Sequence, residues 1–291
     1  MKPRPVRTQG VSEARELGDN DSGVCEPRMG STRFAICSVL LVTVLVGSLL
    51  AFLVQPPLHQ DLAYHGFADR RTFFGVANFL DVFTNVTFLL VGLAGLRHCL
   101  RHPQPDSPRA WQIFFAGVAL VCFGSAWYHL EPNNATLVWD RLPMALAFMG
   151  LFVGLLAEHT TPRAERVLLW PALLVGLASV VWWAYADDLR LYYWVQLAPR
   201  IVVPLVVALF PGTYTHRAWL LVGFACYGVA KIAEIMDASI FAATRGMVSG
   251  HSLKHLWAAL GVLALYHMIR QRGRNPDPGL SSAQADPNTA G

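Results

Sequence analysis

The sequence predicts an all-α, polytopic membrane helix bundle. Of its 291 residues, 54% are hydrophobic and 14% are charged, whereas a soluble domain carries about 25% charged residues. The apolar residues also fall into eight separate stretches, and about 20 apolar residues are needed for a helix to cross the roughly 30 Å hydrocarbon layer. Composition and spacing together indicate a protein that crosses the membrane several times.

The first element, residues 34–54, is predicted to be a retained transmembrane helix. It follows a long polar segment and has no small-x-small cleavage site before Gln55, so the pattern of a signal peptide is not met. Polar residues 1–33 and 271–291 are predicted to be disordered tails. The other predicted spans are residues 74–96, 110–130, 142–158, 167–185, 191–210, 218–236 and 251–269.

The distribution of basic residues predicts the orientation of these spans. If the N-terminus is cytoplasmic, the inner segments hold 15 Lys and Arg residues and the outer loops hold four. Cytoplasmic loops carry the excess of positive charge in membrane proteins, so both termini are expected on the cytoplasmic side. The net charge of +4 is spread over short clusters between spans, which gives no support to nucleic-acid binding.

Five chemically capable side chains fall at the extracytoplasmic ends of three predicted spans. Ser125 and His129 end the third span, Asp140 lies near the start of the fourth, and His251 and His255 open the eighth. Alternation of the spans brings these distant segments to the same membrane face. Ionisable residues within membrane spans are costly and are commonly functional, so this coincidence predicts a site.

The spacing of these residues predicts zinc. Residues four apart share one helix face, which pairs Ser125 with His129 and His251 with His255. Catalytic zinc commonly takes three protein ligands and a water, and the three histidines would supply three nitrogens. Zinc brings the pKa of its bound water to about 7. Asp140 would take or hold the proton of that water, and Ser125 would hydrogen-bond the water or a developing oxyanion.

Each residue taken alone has a plainer interpretation. A single histidine at a helix end is commonly solvated, Asp140 beside Arg141 suggests an interfacial ion pair, and a membrane serine often bonds to a carbonyl of its own helix. Lys231 and Glu234, three residues apart, are predicted to form a structural ion pair. The arrival of all five candidate residues on one face nevertheless favours a metal site.

These motifs resemble those of the alkaline ceramidase family. The resemblance rests on S-x-x-x-H at 125–129, the Asp in WDRLP, H-x-x-x-H at the head of the last span, and NFLDVFTNVTFLLVG at 78–92. That family belongs to the CREST superfamily of seven-helix membrane hydrolases, which includes the adiponectin-receptor-like proteins. The similarity covers residues 74–270, a CREST-like seven-helix core, with 34–54 as an additional N-terminal transmembrane helix.

The resemblance implies a zinc-dependent amidase that cleaves the N-acyl bond of ceramide to a sphingoid base and a fatty acid. It implies that His129, His251 and His255 bind the metal, and that Ser125 and Asp140 act on the metal-bound water. The family also carries a calcium site made of acidic residues near the first core helix. Here that region reads HGFADRRTFFGVANFLD, with Asn78 in place of an acid, which counts against calcium.

The sequence leaves three functional hypotheses. The first is an amidase acting on a ceramide-like N-acyl lipid that enters from the membrane, with its site on the periplasmic or lumenal face. The second is a lipid sensor of the same superfamily with a structural zinc and little turnover. The third, a proton-coupled transporter, ranks last because its polar residues would lie near the bilayer midplane rather than at helix ends.

Overall fold

The computed structural model describes residues 30–210 and 212–275, of which 77% are helical and none lies in a β-strand. Residues 1–29 and 276–291, which hold most of the two predicted tails, lie outside the described residues. The helices are α1 (Ser31–Leu53), α2 (Phe79–Phe83), α3 (Val86–Arg101), α4 (Pro108–Leu130), α5 (Asn134–His159), α6 (Arg163–Ala186), α7 (Arg190–Leu209), α8 (Ala218–Ile235), α9 (Asp237–Ala243) and α10 (Gly250–Gln271).

Seven apolar segments in the described part of the chain are long and apolar enough to cross a membrane: α1, α2 with α3, and each of α4 to α8. The all-α membrane fold is thereby confirmed, and the chain is an integral membrane protein. The eighth predicted span is a helix of 22 residues, α10, but it is not among the seven. Its first turns carry His251, Lys254 and His255, which lower its apolar character and line the interior of the bundle.

One predicted boundary near the site is wrong. The fourth span was expected to begin at residue 142, with Asp140 at its start, but α5 begins at Asn134. Asn133 caps the helix by accepting from the backbone amides of Ala135 and Thr136, and the Thr136 hydroxyl accepts from the Asn133 amide. This reciprocal capping starts a helix in polar sequence. Asp140 therefore lies in the second turn of α5 rather than at the beginning of a helix.

The order of helix packing leaves a space inside the bundle. Helices α3, α4, α5 and α6 pack successively, α7 packs on α5 and α6, and α10 packs between α3 and α8. Helix α1 lies outside this group against α7, through Cys37 and Leu41 beside Val202 and Val206. Helices α5 and α7 thus face α8 and α10 across an interior cavity.

Helices α4 and α5 approach most closely beside two of the candidate residues. A Cβ atom on Gly124 would lie 1.9 Å from the backbone oxygen of Trp139. No rotamer change relieves a clash with backbone, so only glycine permits this approach. The contact sets the distance between Ser125, next to Gly124, and Asp140, next to Trp139.

Substitution Gly124→Ala is expected to push α4 away from α5 and to destabilise the protein by about 1–3 kcal/mol, the usual cost of overpacking. Thermal unfolding in detergent measures the effect. Gly47→Ala is the matched control, because a Cβ atom there meets no atom within 4 Å. Equal unfolding temperatures for the two variants would contradict the close approach.

The segment between α1 and α2 covers the end of the bundle where the candidate residues lie. A 3₁₀ turn, Leu62–His65, is held by hydrogen bonds between the His65 ring and the side chains of Tyr128 and Asn134. Further along, the Ala68 amide donates to Asp237. These contacts hold the residue between them, Phe67, over the interior.

Candidate metal centre and its cavity

Three histidines from two distant helices meet at one end of the bundle. His129 comes from the last turn of α4, and His251 and His255 come from the first two turns of α10. One ring nitrogen from each lies within 4.8 Å of the others, and all three side chains are buried. The histidines that the sequence predicted to converge do converge, and their nitrogens could hold one metal ion.

The hydrogen bonding of two of the rings, those of His129 and His255, fits a metal. The Nδ1 atom of His129 is buried and has no hydrogen-bond partner, which is costly for a polar atom unless a ligand satisfies it. The Thr84 hydroxyl donates to the Leu80 carbonyl at 2.8 Å and lies 2.9 Å from His255 Nδ1. Because the Thr84 hydroxyl proton already bonds to Leu80, the hydroxyl oxygen accepts a hydrogen bond from His255 Nδ1–H. The Nε2 lone pair of His255 is therefore available to bind a metal.

Substitution Thr84→Val is expected to weaken metal affinity about 10- to 100-fold, the usual effect of losing a hydrogen bond that orients a metal ligand. Competition against a zinc-binding dye measures it. Thr160→Val serves as the control, because the Thr160 hydroxyl donates to the Leu156 carbonyl at the other end of the bundle. Unchanged affinity in the Thr84 variant would refute the tautomer assigned to His255.

An aromatic ring and a carboxylate fix the surroundings of the histidines. The ring centroid of Phe67 lies 4.7 Å from that of His129 and 4.5 Å from that of His251. Asp237 accepts from the backbone amide of His251 at 2.8 Å and from Ala68 at 2.9 Å, which joins the start of α10 to the covering segment. Phe67 is itself buried, so it shields the rings from water.

The two remaining predicted residues lie beside the histidines. Ser125 and Asp140 line the same cavity as His255. The Ser125 hydroxyl interacts with the Asp140 carboxyl, and both residues are buried. The structure therefore brings all five candidate residues to one end of the bundle.

The cavity has a volume of about 330 Å³ and extends from this polar end into the bundle. Along α5 it is lined from Asp140 to Leu155, a distance of about 22 Å at 1.5 Å per residue. Its deeper wall is apolar, with Phe114, Val262 and Leu265 among the lining residues. Arg200 lines the cavity partway along, beside Phe148, and most of the other charged lining residues are at one end. A long, mainly apolar tunnel of this kind suits an amphiphile.

The cavity opens sideways between α7 and α8. Tyr193 on α7 and Phe224 on α8 both line it, yet they are 44% and 36% exposed. Side chains that reach both the interior and the outer surface of a membrane bundle mark an opening toward the lipid. An apolar chain can therefore enter from the bilayer.

Charged residues that the sequence did not assign to the site also line the cavity. The predicted ion pair between Lys231 and Glu234 is present, and Glu234 also pairs with Lys254, whose Nζ lies 2.8 Å from Glu234 Oε1. Lys254 Nζ lies 3.4 Å from His251 Nε2. Arg141 does not form the ion pair with Asp140 suggested by sequence, since its guanidinium donates to the Gln60 side chain. The position of Lys254 between His251 and His255 in the H-x-x-x-H motif could have indicated that this lysine lines the cavity.

The region expected to hold calcium in the family has a different arrangement. Both carboxylate oxygens of Asp69 accept from Arg71, at 2.8 and 2.7 Å. Burial would raise the pKa of Asp69, but the hydrogen bonds and charge of Arg71 outweigh burial and lower that pKa. Asn78 donates to the His129 carbonyl at 2.7 Å. Arg71 thus satisfies Asp69, one of the two acidic residues of this region, and the other, Asp81, accepts from Ser249 and Ser252.

The fold and this cluster define a class: an integral membrane protein with a buried candidate metal centre at the head of an amphiphile-sized cavity. Residues 72–209 match the family model described as Ceramidase. The match supports assigning the chain to the alkaline ceramidase family and supports a ceramide-hydrolysing membrane enzyme. It includes Ser125, His129 and Asp140 and ends before His251 and His255. No curated protein sequence matches the chain.

Proposed function

We propose that the protein is a membrane-embedded, zinc-dependent amidase that hydrolyses the N-acyl bond of ceramide or a related lipid amide. One observation carries the proposal: three buried histidine nitrogens lie within 4.8 Å of one another at the polar end of an apolar cavity. Nitrogen ligands suit zinc. The Ceramidase family match supports the amide substrate.

Each residue of the site has a proposed part. His129, His251 and His255 hold the metal, which when bound supplies Lewis-acid polarisation of the carbonyl and activates water near neutral pH. Asp140 takes the proton from the attacking water and delivers it to the leaving amine. Ser125 donates a hydrogen bond to the developing oxyanion, which it can do by turning from Asp140 as that carboxylate is protonated.

The substrate is proposed to enter from the bilayer between α7 and α8, with its acyl chain along the apolar wall. The amide then lies at the polar end of the cavity, beside Asp140 and His255. The excess of Lys and Arg in the inner segments supports cytoplasmic termini, and the site then faces the periplasm or the lumen. The cavity opening supports membrane lipids as the source of substrate.

The test is incubation of purified, zinc-loaded protein with a panel of N-acyl lipids. Mass spectrometry would detect released fatty acid, and the His255→Ala variant provides the control. We expect release by the wild-type protein from at least one ceramide-like lipid and none by the variant. Equal release by both proteins, or none by either from any lipid, would overturn the proposal.

Calcium removal is expected to leave the activity unchanged, because Arg71 already neutralises Asp69 where the family carries a calcium site. Zinc removal is expected to abolish it. The measurement compares fatty-acid release after treatment with a calcium-selective chelator and with a zinc-selective chelator. Restoration of lost activity by added calcium would show that this chain retains a calcium requirement.

A further inference from the structure

Arg141 is a buried cation whose hydrogen bonding is incomplete. The residue is 4% exposed, and its guanidinium donates to Gln60 Oε1 at 2.7 Å. Its guanidinium carbon lies 4.0 Å from the ring centroid of Trp183 and 4.6 Å from that of Tyr192. The Nη1 atom is buried without a hydrogen-bond partner. These partners are neutral, so none of them offsets the charge of the guanidinium.

Neither neighbouring carboxylate forms an ion pair with Arg141. Glu234 pairs with both Lys231 and Lys254, and the charge of Asp140 is shared between Lys254 and Arg141. Among the described residues that line the cavity, four are cationic and two are anionic; the cationic ones are Arg141, Arg200, Lys231 and Lys254. Arg141 is the buried one of these four cations, and a buried positive charge is expensive unless an anion neutralises it.

Arg141 lies at the polar end of the cavity, on the side away from the acyl tunnel. It adjoins Asp140 in sequence, and its partner Gln60 belongs to the covering segment. Its ring contacts include Tyr64 of the same segment, at 5.9 Å. The deepest lining residue of α5, Leu155, is 14 residues further along the helix, about 21 Å deeper. A group bound by Arg141 therefore belongs to the polar half of an N-acyl lipid.

We propose that Arg141 forms an anion-recognition subsite, and that the substrate is an N-acyl lipid with a carboxylate or phosphate on its amine side. This inference rests on the proposed function. A guanidinium is suited to it because its planar N–H donors match carboxylate and phosphate oxygens and because it stacks on aromatic rings. Lys254, at the same end of the cavity, adds a second positive charge.

A purely structural role for Arg141 gives a different expectation. The same contacts join α5 to the covering segment through Gln60 and Tyr64. If that were the only role, loss of Arg141 would affect all substrates alike. The ratio of activities on anionic and neutral substrates therefore separates recognition from structure.

The experiment uses two matched pairs of palmitoyl lipids. N-palmitoylglycine is compared with N-palmitoylethanolamine, and palmitoyl ceramide phosphorylated on its primary hydroxyl is compared with palmitoyl ceramide. In at least one pair, the wild-type protein is expected to show a higher kcat/KM for the anionic lipid than for the neutral one. A preference in the first pair identifies the anion as carboxylate, and a preference in the second identifies it as phosphate. In Arg141→Gln the anionic-to-neutral ratio is expected to fall about 10- to 100-fold, the range for a lost hydrogen bond to a charged group.

Two further variants make the result specific. Arg141→Lys keeps the charge without the planar donors and is expected to give an intermediate ratio. Arg166→Gln removes an exposed arginine from the start of α6 and is expected to keep the wild-type ratio. Size-exclusion profiles and unfolding temperatures in detergent establish that each variant is folded.

The outcomes separate this inference from the proposed function. A higher kcat/KM for both neutral lipids, or a ratio unchanged in Arg141→Gln, would overturn the anion subsite and leave the amidase standing. If no lipid is hydrolysed, the amidase fails, and equilibrium binding of N-palmitoylglycine and N-palmitoylethanolamine still tests the subsite. Tighter binding of the anionic lipid, lost in Arg141→Gln, supports it, and equal binding of the two lipids refutes it.

Discussion

Substitution Asp140→Asn is expected to lower kcat for fatty-acid release by about 10²- to 10⁴-fold, the usual contribution of general acid–base catalysis. Asparagine has nearly the same shape and can still accept from Ser125, but it cannot take a proton from water or deliver one to the amine. Metal content is expected to stay at the wild-type level, because Asp140 is not among the three clustered ligands. Single-turnover kinetics together with metal analysis measure both quantities.

The same variant distinguishes an enzyme from a lipid sensor that holds a structural zinc. A sensor would keep its lipid binding and its slow turnover, whereas an enzyme would lose turnover with binding intact. Ser252→Ala is a useful comparison, since this buried serine donates to Asp81 rather than to a cavity group. Full turnover in Asp140→Asn would remove Asp140 from the proton-transfer role.

Substitution His129→Ala is expected to reduce bound zinc from about one ion per chain to nearly none. His129 is the only one of the three ligands on α4, so its loss leaves two ligands from one helix, one fewer than catalytic zinc commonly takes. Activity is expected to fall with the metal. Inductively coupled plasma mass spectrometry of the purified protein measures the stoichiometry.

The control for this substitution is His102→Ala, since His102 is exposed at the end of α3. That variant is expected to keep its zinc. A fall in zinc content of the same size in both variants would indicate loss by general destabilisation. Wild-type zinc content in His129→Ala would place the metal elsewhere.

Much of the fold followed from the sequence because the membrane limits the choices. Lipid offers no partner for backbone polar groups, so apolar stretches of spanning length form helices. The meeting of His129 with His251 and His255 followed from counting spans, since each crossing reverses the chain. The start of α5 was mistaken because the Asn133 capping interactions extend the helix into polar sequence.

The surroundings of the site were beyond the reach of sequence patterns. Arg141 meets Gln60, Trp183 and Tyr192, which come from three separate segments of the chain. Such contacts depend on how the helices turn about their axes, which span counting does not specify. Thr84 similarly reaches His255 only because the chain changes from α2 to α3 beside α10.

Anomalous X-ray diffraction from zinc-loaded crystals, recorded on both sides of the zinc absorption edge, tests the central claim most directly. The expected result is one strong peak about 2.0–2.1 Å from a ring nitrogen of each of His129, His251 and His255. A map with no peak among these three rings, or with its peak on other residues, would contradict a histidine-bound zinc ion as the centre of this protein's chemistry.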